Sequence, residues 1–199
     1  RAWSLYYPMV WGIALVFSGT LMAAFAGRRF TATFFTALML SWLIGGIGLA
    51  YAMSAAGPVF AQLSGPLLAE QFAPLHVVLG RLLACDVLVL RSQRYLELGN
   101  DVRVAVKGGG ISAMPSMHMA TATILTCAAW RTKWLPLALL FWGMTFFGSI
   151  YLGYHYAVDA RVAAAVAVAC WLCAERMFRA NDRAIQSKPL LDGTSTQPD

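Results

Sequence analysis

Charged side chains are scarce in this chain: 12% of its 199 residues, nine acidic and fifteen basic, against a mean hydropathy of +0.63. Soluble domains carry about a quarter of their residues as charge, so this composition excludes an ordinary water-exposed surface and points to a bilayer. Cysteine is thin as well, with four in the chain. Cys170 and Cys173 form a C-x-x-C inside an apolar run, without the strand-helix-strand setting that gives a redox motif its meaning, and Cys85 and Cys127 stand alone. All four read as small apolar packing residues and receive no chemistry. The net charge of +6 is accounted for by basic segments flanking apolar runs, so it calls for no nucleic-acid partner.

What the chain has in quantity is long apolar stretches. A transmembrane helix needs about 20 mostly apolar residues, and such runs occupy 6–26, 30–53, 113–130, 134–156 and 157–178. The run at 67–90 is interrupted by Glu70, His76, Arg81 and Asp86, charges too costly for hydrocarbon at that spacing. It is expected to form helices lying at the interface. The expected fold is therefore all-α, a polytopic transmembrane bundle of about five spans with interfacial helices in a long outer loop. Residues 1–179 form the membrane-embedded domain, and 180–199, rich in polar residues, a mobile cytoplasmic tail.

If the five runs alternate across the membrane, Arg28 and Arg29, Arg131 and Lys133, and Arg176, Arg179 and Arg183 fall on one side. Short basic flanks are retained in the cytoplasm, which puts the long loop and the 154–159 region on the extracytoplasmic face of a plasma or inner membrane. The first span then runs from outside to inside, so a further helix is expected upstream of Arg1.

Two polar constellations fall on that outer side. The first is GGGISAMPSMHMATATIL, residues 108–125. Pro115 suits the first turn of a helix, and Ser112 or Ser116 can accept from the unpaired N–H groups there. A helix N-terminus offers N–H donors and the positive end of the dipole, which together favour phosphate. Gly108, Gly109 and Gly110 let backbone approach such an anion, Lys107 adds charge, and His118 sits beside it. By itself this also fits a capped helix with a histidine near the membrane surface.

The second is GSIYLGYHYAVDA, residues 148–160, in which His155 and Asp159, four residues apart, share one face if the segment is helical. Alone the pair also fits a structural helix end. A carboxylate on one imidazole nitrogen makes the other a better nucleophile or base, and ionisable groups at matched membrane depth argue for a site.

The segment Pro115 to His118, with His155 to Asp159 beginning 37 positions after His118, resembles the second and third motifs of the type 2 phosphatidic acid phosphatase superfamily. Within it, AMPSMH and YHYAVDA are similar to the inositolphosphotransferase branch, which includes inositol phosphorylceramide synthases. The resemblance implies that His155 is a nucleophile forming a phosphohistidine, Asp159 its orienting partner and His118 the general acid. It also implies that Ser116 and nearby N–H groups hold phosphate oxygens, that the substrate is a membrane lipid, and that neither metal nor other cofactor is used. The chain departs from the common pattern at Ser149, where an arginine is usual, and lacks an intact first motif. This fits the inositolphosphotransferase branch better than a typical phosphatidate phosphatase.

Arg103, Lys107 and Arg161 are the candidates to neutralise phosphate, with Gly110 as a backbone contributor; each cation could equally snorkel toward head groups. Gly57 and Pro58, in SAAGPVF, read first as a helix stop, with a site-lining role as the alternative. The expected activity is lipid phosphotransfer. Lipid phosphate or diphosphate hydrolysis and non-catalytic head-group binding are the alternatives.

Overall fold

The computed structural model describes residues 9–83, 95 and 112–186. Among them every regular element is helical and no strand occurs. Helix α1, Trp11–Phe25, ends where Gly27 turns extended, and the Thr31 hydroxyl donates to the Met22 carbonyl at 2.8 Å across the turn. Helix α2, Arg28–Ala52, follows and widens to π-helical turns over Trp42–Leu49. That stretch holds Gly45 and Gly46, at which the sulfur of Met117 lies so close that a Cβ on Gly45 would sit 3.3 Å from it. The missing side chains let the segment at Met117 seat against α2.

A 3₁₀ segment, Pro58–Ser64, then leads to two short helices, α3 (Pro66–Gln71) and α4 (Ala73–Leu83). The remaining helices are α5 (Met117–Ala129), α6 (Leu135–Tyr151) and α7 (Ala157–Gln186). Helix α7 packs chiefly on α2 and α5. Its contact stripe, Ala160, Ala163, Ala167 and Ala174, is buried against Phe34, Ala37 and Leu38 of α2 and Met119, Ala120 and Ile124 of α5. Lipid tails are as apolar as leucine, so close backbone approach over small residues, rather than expulsion of water, holds such a bundle together. Large apolar side chains point outward, among them Val16, Phe17, Ile47, Leu140 and Phe147. Hydrocarbon accepts such a surface and water does not.

Five helices correspond to the five apolar runs, but only two, Arg28–Ala52 and Ala157–Asn181, are long and apolar enough to cross a bilayer. Among the described residues the all-helical expectation holds and two spans meet that length, so five full spans are not shown. Helices α1, α5 and α6 have 15, 13 and 17 residues, below the usual length of about 20. For α5 the cause is visible. The apolar run begins at residue 113, but residues 113–116 are non-helical, with bends at Met114 and Pro115; the Ala113 N–H is taken by the Ala55 carbonyl at 2.7 Å and the Ser112 hydroxyl by the Ala50 carbonyl at 3.2 Å. The described part of the long loop forms short helices rather than a sixth span, and α7 continues through residues 180–186.

Candidate active site

Two helix N-termini meet at one end of the bundle. At α5, the extended approach ends in Ser116, whose hydroxyl oxygen accepts from the Met119 N–H at 3.4 Å. Ser116 is wholly buried, so the side chain expected to hold phosphate is in place as the cap of α5, and its own N–H donates to the Asp159 carbonyl at 3.4 Å. The start of α5 is thereby tied to the start of α7.

At α7, the chain leaves α6 through a turn in which Gly153 adopts φ +71°, a conformation open to glycine. The Ser149 carbonyl accepts from the N–H groups of both Tyr154 (3.1 Å) and His155 (3.4 Å). Ser149 is buried and its hydroxyl donates to the Phe146 carbonyl, so this position serves the turn and supplies no cation. The outer-loop elements brace the same turn: the Val59 N–H donates to the Gly153 carbonyl at 2.9 Å, and Phe72 meets Tyr156 edge-on. Gly57 lies so close that a Cβ there would stand 2.2 Å from the Tyr154 carbonyl oxygen. Its small size is required by this approach, beyond any role in stopping a helix.

This scaffold holds His155 with its Nδ1 2.6 Å from the Ala113 carbonyl oxygen. A carbonyl only accepts, so Nδ1 carries the proton and Nε2 is left with its lone pair. Asp159, buried and four residues on, has Oδ2 3.7 Å from Nδ1, beyond hydrogen-bond range. That oxygen instead accepts from the Tyr156 N–H at 2.8 Å, reaching back across the first turn of α7. Asp159 therefore secures the helix start and places a carboxylate beside the imidazole, while the backbone of Ala113 fixes the ring.

The His118 ring, on the first turn of α5, has its centroid 6.4 Å from that of His155. Trp11 of α1 stacks obliquely on it, with centroids 4.5 Å apart, and donates its indole N–H to the His118 carbonyl at 3.3 Å. Sequence reasoning missed Trp11: it lies 107 positions from His118, and tryptophans in such a chain read as membrane-interface anchors.

His118, His155, Asp159 and Ser116 are thus brought together. Arg161 is exposed on α7, outside this buried group. Arg103, Lys107 and Gly110 lie outside the described residues. Among the described residues no cluster of three or more His, Cys, Asp or Glu could hold a metal ion. The cysteines described, Cys127, Cys170 and Cys173, are unbridged. Basic residues gather at the far end of the bundle, where Arg28, Arg29, Arg131 and Arg179 line cavities.

Comparison with curated proteins and with solved structures returns no match. The family model of the PAP2 superfamily matches residues 1–173, and the chain belongs to that superfamily of phosphatase and phosphotransferase enzymes acting on lipid-type substrates.

Proposed function

We propose that this enzyme is an integral membrane lipid phosphotransferase of the inositolphosphotransferase type, working through a phosphohistidine at Nε2 of His155. The observation that carries the reading is the bond from His155 Nδ1 to the Ala113 carbonyl, which leaves the Nε2 lone pair available with a second histidine across the site. In the first step Nε2 attacks phosphorus. The P–N bond forms, the P–O bond to the lipid leaving group breaks, and the departing oxygen takes a proton from His118. In the second, an acceptor hydroxyl attacks the phosphohistidine and gives its proton back to His118, and the P–N bond breaks to restore His155.

Negative charge on phosphorus oxygens is met by the N–H groups of the first turn of α5 and by its dipole. Arg103, Lys107 and Arg161 are the cations assigned to assist, and Gly110 allows backbone approach. Asp159 stabilises the charge that develops on the His155 ring. The absence of arginine at Ser149 supports the inositolphosphotransferase assignment over phosphatidate hydrolysis. The site faces the extracytoplasmic side, because the basic flanks gather at the opposite end. Residues 1–179 make up the catalytic membrane domain.

The test is product analysis with purified protein and a panel of labelled phosphate-containing lipids, with and without inositol- or diacylglycerol-type acceptors, beside His155→Ala. Labelled lipid that depends on acceptor and is lost in His155→Ala is expected. Release of phosphate to water alone would make the enzyme a lipid phosphatase, and lipid binding unaffected by His155→Ala without any product would make it a binding protein.

A further inference from the structure

At the end of the bundle opposite His155, a cavity of about 770 Å³ opens between α2, α5, α6 and α7. Beside it lies a second of about 420 Å³, and the two share Phe30, Trp171 and Glu175. Its walls are apolar and fixed. Phe30 meets Trp171 edge-on with centroids 5.9 Å apart, and the Trp142 indole N–H is anchored to the Thr123 hydroxyl at 2.9 Å. The lining carries Arg131 and Arg179, with Arg28 and Arg29 in the adjoining cavity, against one carboxylate, Glu175, which pairs with Arg179.

The turn between α5 and α6 places Arg131 at this lining with φ +65°, a left-handed conformation that bulky residues seldom adopt. Trp130 and Trp134 flank it and are exposed, and the Lys133 ammonium lies 5.4 Å from the Trp134 ring. Exposed tryptophans and lysine mark head-group depth in a membrane protein. The groove therefore has apolar walls within the bundle and excess positive charge at the level of the head groups. Basic pockets between membrane helices have the same division of surface as an anionic phospholipid. Arg131 lies 13 positions beyond His118, roughly 20 Å along the direction of α5, whereas Thr123, the lining residue nearest His118 in sequence, lies five positions away, roughly 8 Å; a head group seated at Arg131 therefore stands clear of the catalytic end.

We propose that this groove is a binding site for a single anionic phospholipid, distinct from the substrate site, with the phosphate held by Arg131 and Arg28 and an acyl chain lying along Trp142 and Trp171. The proposal stands independently of the reaction assigned to His155.

The test uses the full chain in neutral detergent and follows quenching of tryptophan fluorescence by phospholipids brominated in the acyl chain. Phosphatidylglycerol should quench saturably at a mole fraction about tenfold below that needed for phosphatidylcholine. Arg28→Gln combined with Arg131→Asn should abolish this preference; asparagine tolerates the left-handed backbone, so the turn is kept while the charge is removed. Arg28→Gln alone should weaken the preference several-fold, which keeps the test available if the double variant does not fold. Lys133→Gln, outside the groove, should leave the preference intact. Equal quenching by the two lipids would overturn the site. So would a preference that survives the arginine variants, or one lost equally in Lys133→Gln, since each would mean diffuse surface attraction.

Discussion

His155, two residues before α7, and Asp159, in its first turn, stand four residues apart with imidazole Nδ1 and carboxylate Oδ2 at 3.7 Å, while the Ala113 carbonyl, from the approach to a different helix, holds the imidazole at 2.6 Å. The ring's tautomer is set by backbone and the carboxylate acts on it through space. Asp159→Asn keeps an oxygen for the Tyr156 N–H and removes only the charge. It is expected to lower kcat by about 10- to 100-fold, well short of the loss in His155→Ala, with little change in thermal midpoint. Asp159→Ala should in addition cost about 1 kcal/mol of stability through the lost helix-start bond. Steady-state kinetics and thermal unfolding of the two variants separate these effects. A loss of about 10⁴-fold in Asp159→Asn would show that the carboxylate itself sets the tautomer.

Trp11 bears on His118 in two ways, by ring contact and by the bond from its indole N–H to the His118 carbonyl. Trp11→Phe keeps an aromatic face and loses the bond, and is expected to retain activity within about threefold. Trp11→Ala frees the ring and should reduce kcat about tenfold, in line with the value of an aromatic contact. The check is kcat and KM for both variants, with KM expected to change little. Equal, large losses in both would place the effect in the hydrogen bond.

Much of this site was legible because titratable residues stand out in an apolar chain. His118, His155 and Asp159 could be picked out by type and spacing, and Pro115 and Ser116 marked a helix start that the structure places at Met117. The partner of His155 was not legible, since a backbone carbonyl at Ala113 has no side-chain signature. The non-helical course of residues 113–116 was hidden for a related reason: hydropathy is the same whether an apolar residue bonds within a helix or to Ala55 across the fold. Span lengths suffered most, because apolar composition continues past the residues at which α5 and α6 begin and end. Gly57 could be read as a helix stop, but the backbone it faces belongs to residues nearly a hundred positions away.

That approach makes Gly57 a sharp probe. A methyl group there would meet the Tyr154 carbonyl oxygen at 2.2 Å, and the obstacle is backbone rather than a side chain that can rotate. Gly57→Ala must therefore push apart the outer-loop segment and the turn carrying His155. A displacement of about 1 Å at a reacting group can cost on the order of 100-fold in rate, and a loss of that size is expected with a lowered thermal midpoint. Gly12 has nothing near its Cβ position, so Gly12→Ala should leave both unchanged and serves as the control.

The role given to His118 makes a prediction that a merely structural histidine would not. If it protonates the leaving oxygen, its removal should matter in proportion to how poor the leaving group is. His118→Ala is expected to lower transfer from a lipid with an alkoxide leaving group by about 10²- to 10⁴-fold. In a lipid analogue, a nitrophenol leaving group departs without help, so its release in the first turnover, before the step in which His118 acts as base, should fall by less than about tenfold in the same variant. Because both substrates must pass through His155, His155→Ala should abolish turnover of each. The comparison is a ratio of single-turnover leaving-group release by the active fraction of one protein preparation, normalised to the amplitude, so partial unfolding of His118→Ala cancels and the second step does not enter. Equal losses on the two substrates would remove His118 from proton transfer and leave it, with Trp11, as part of the wall that positions the first turn of α5.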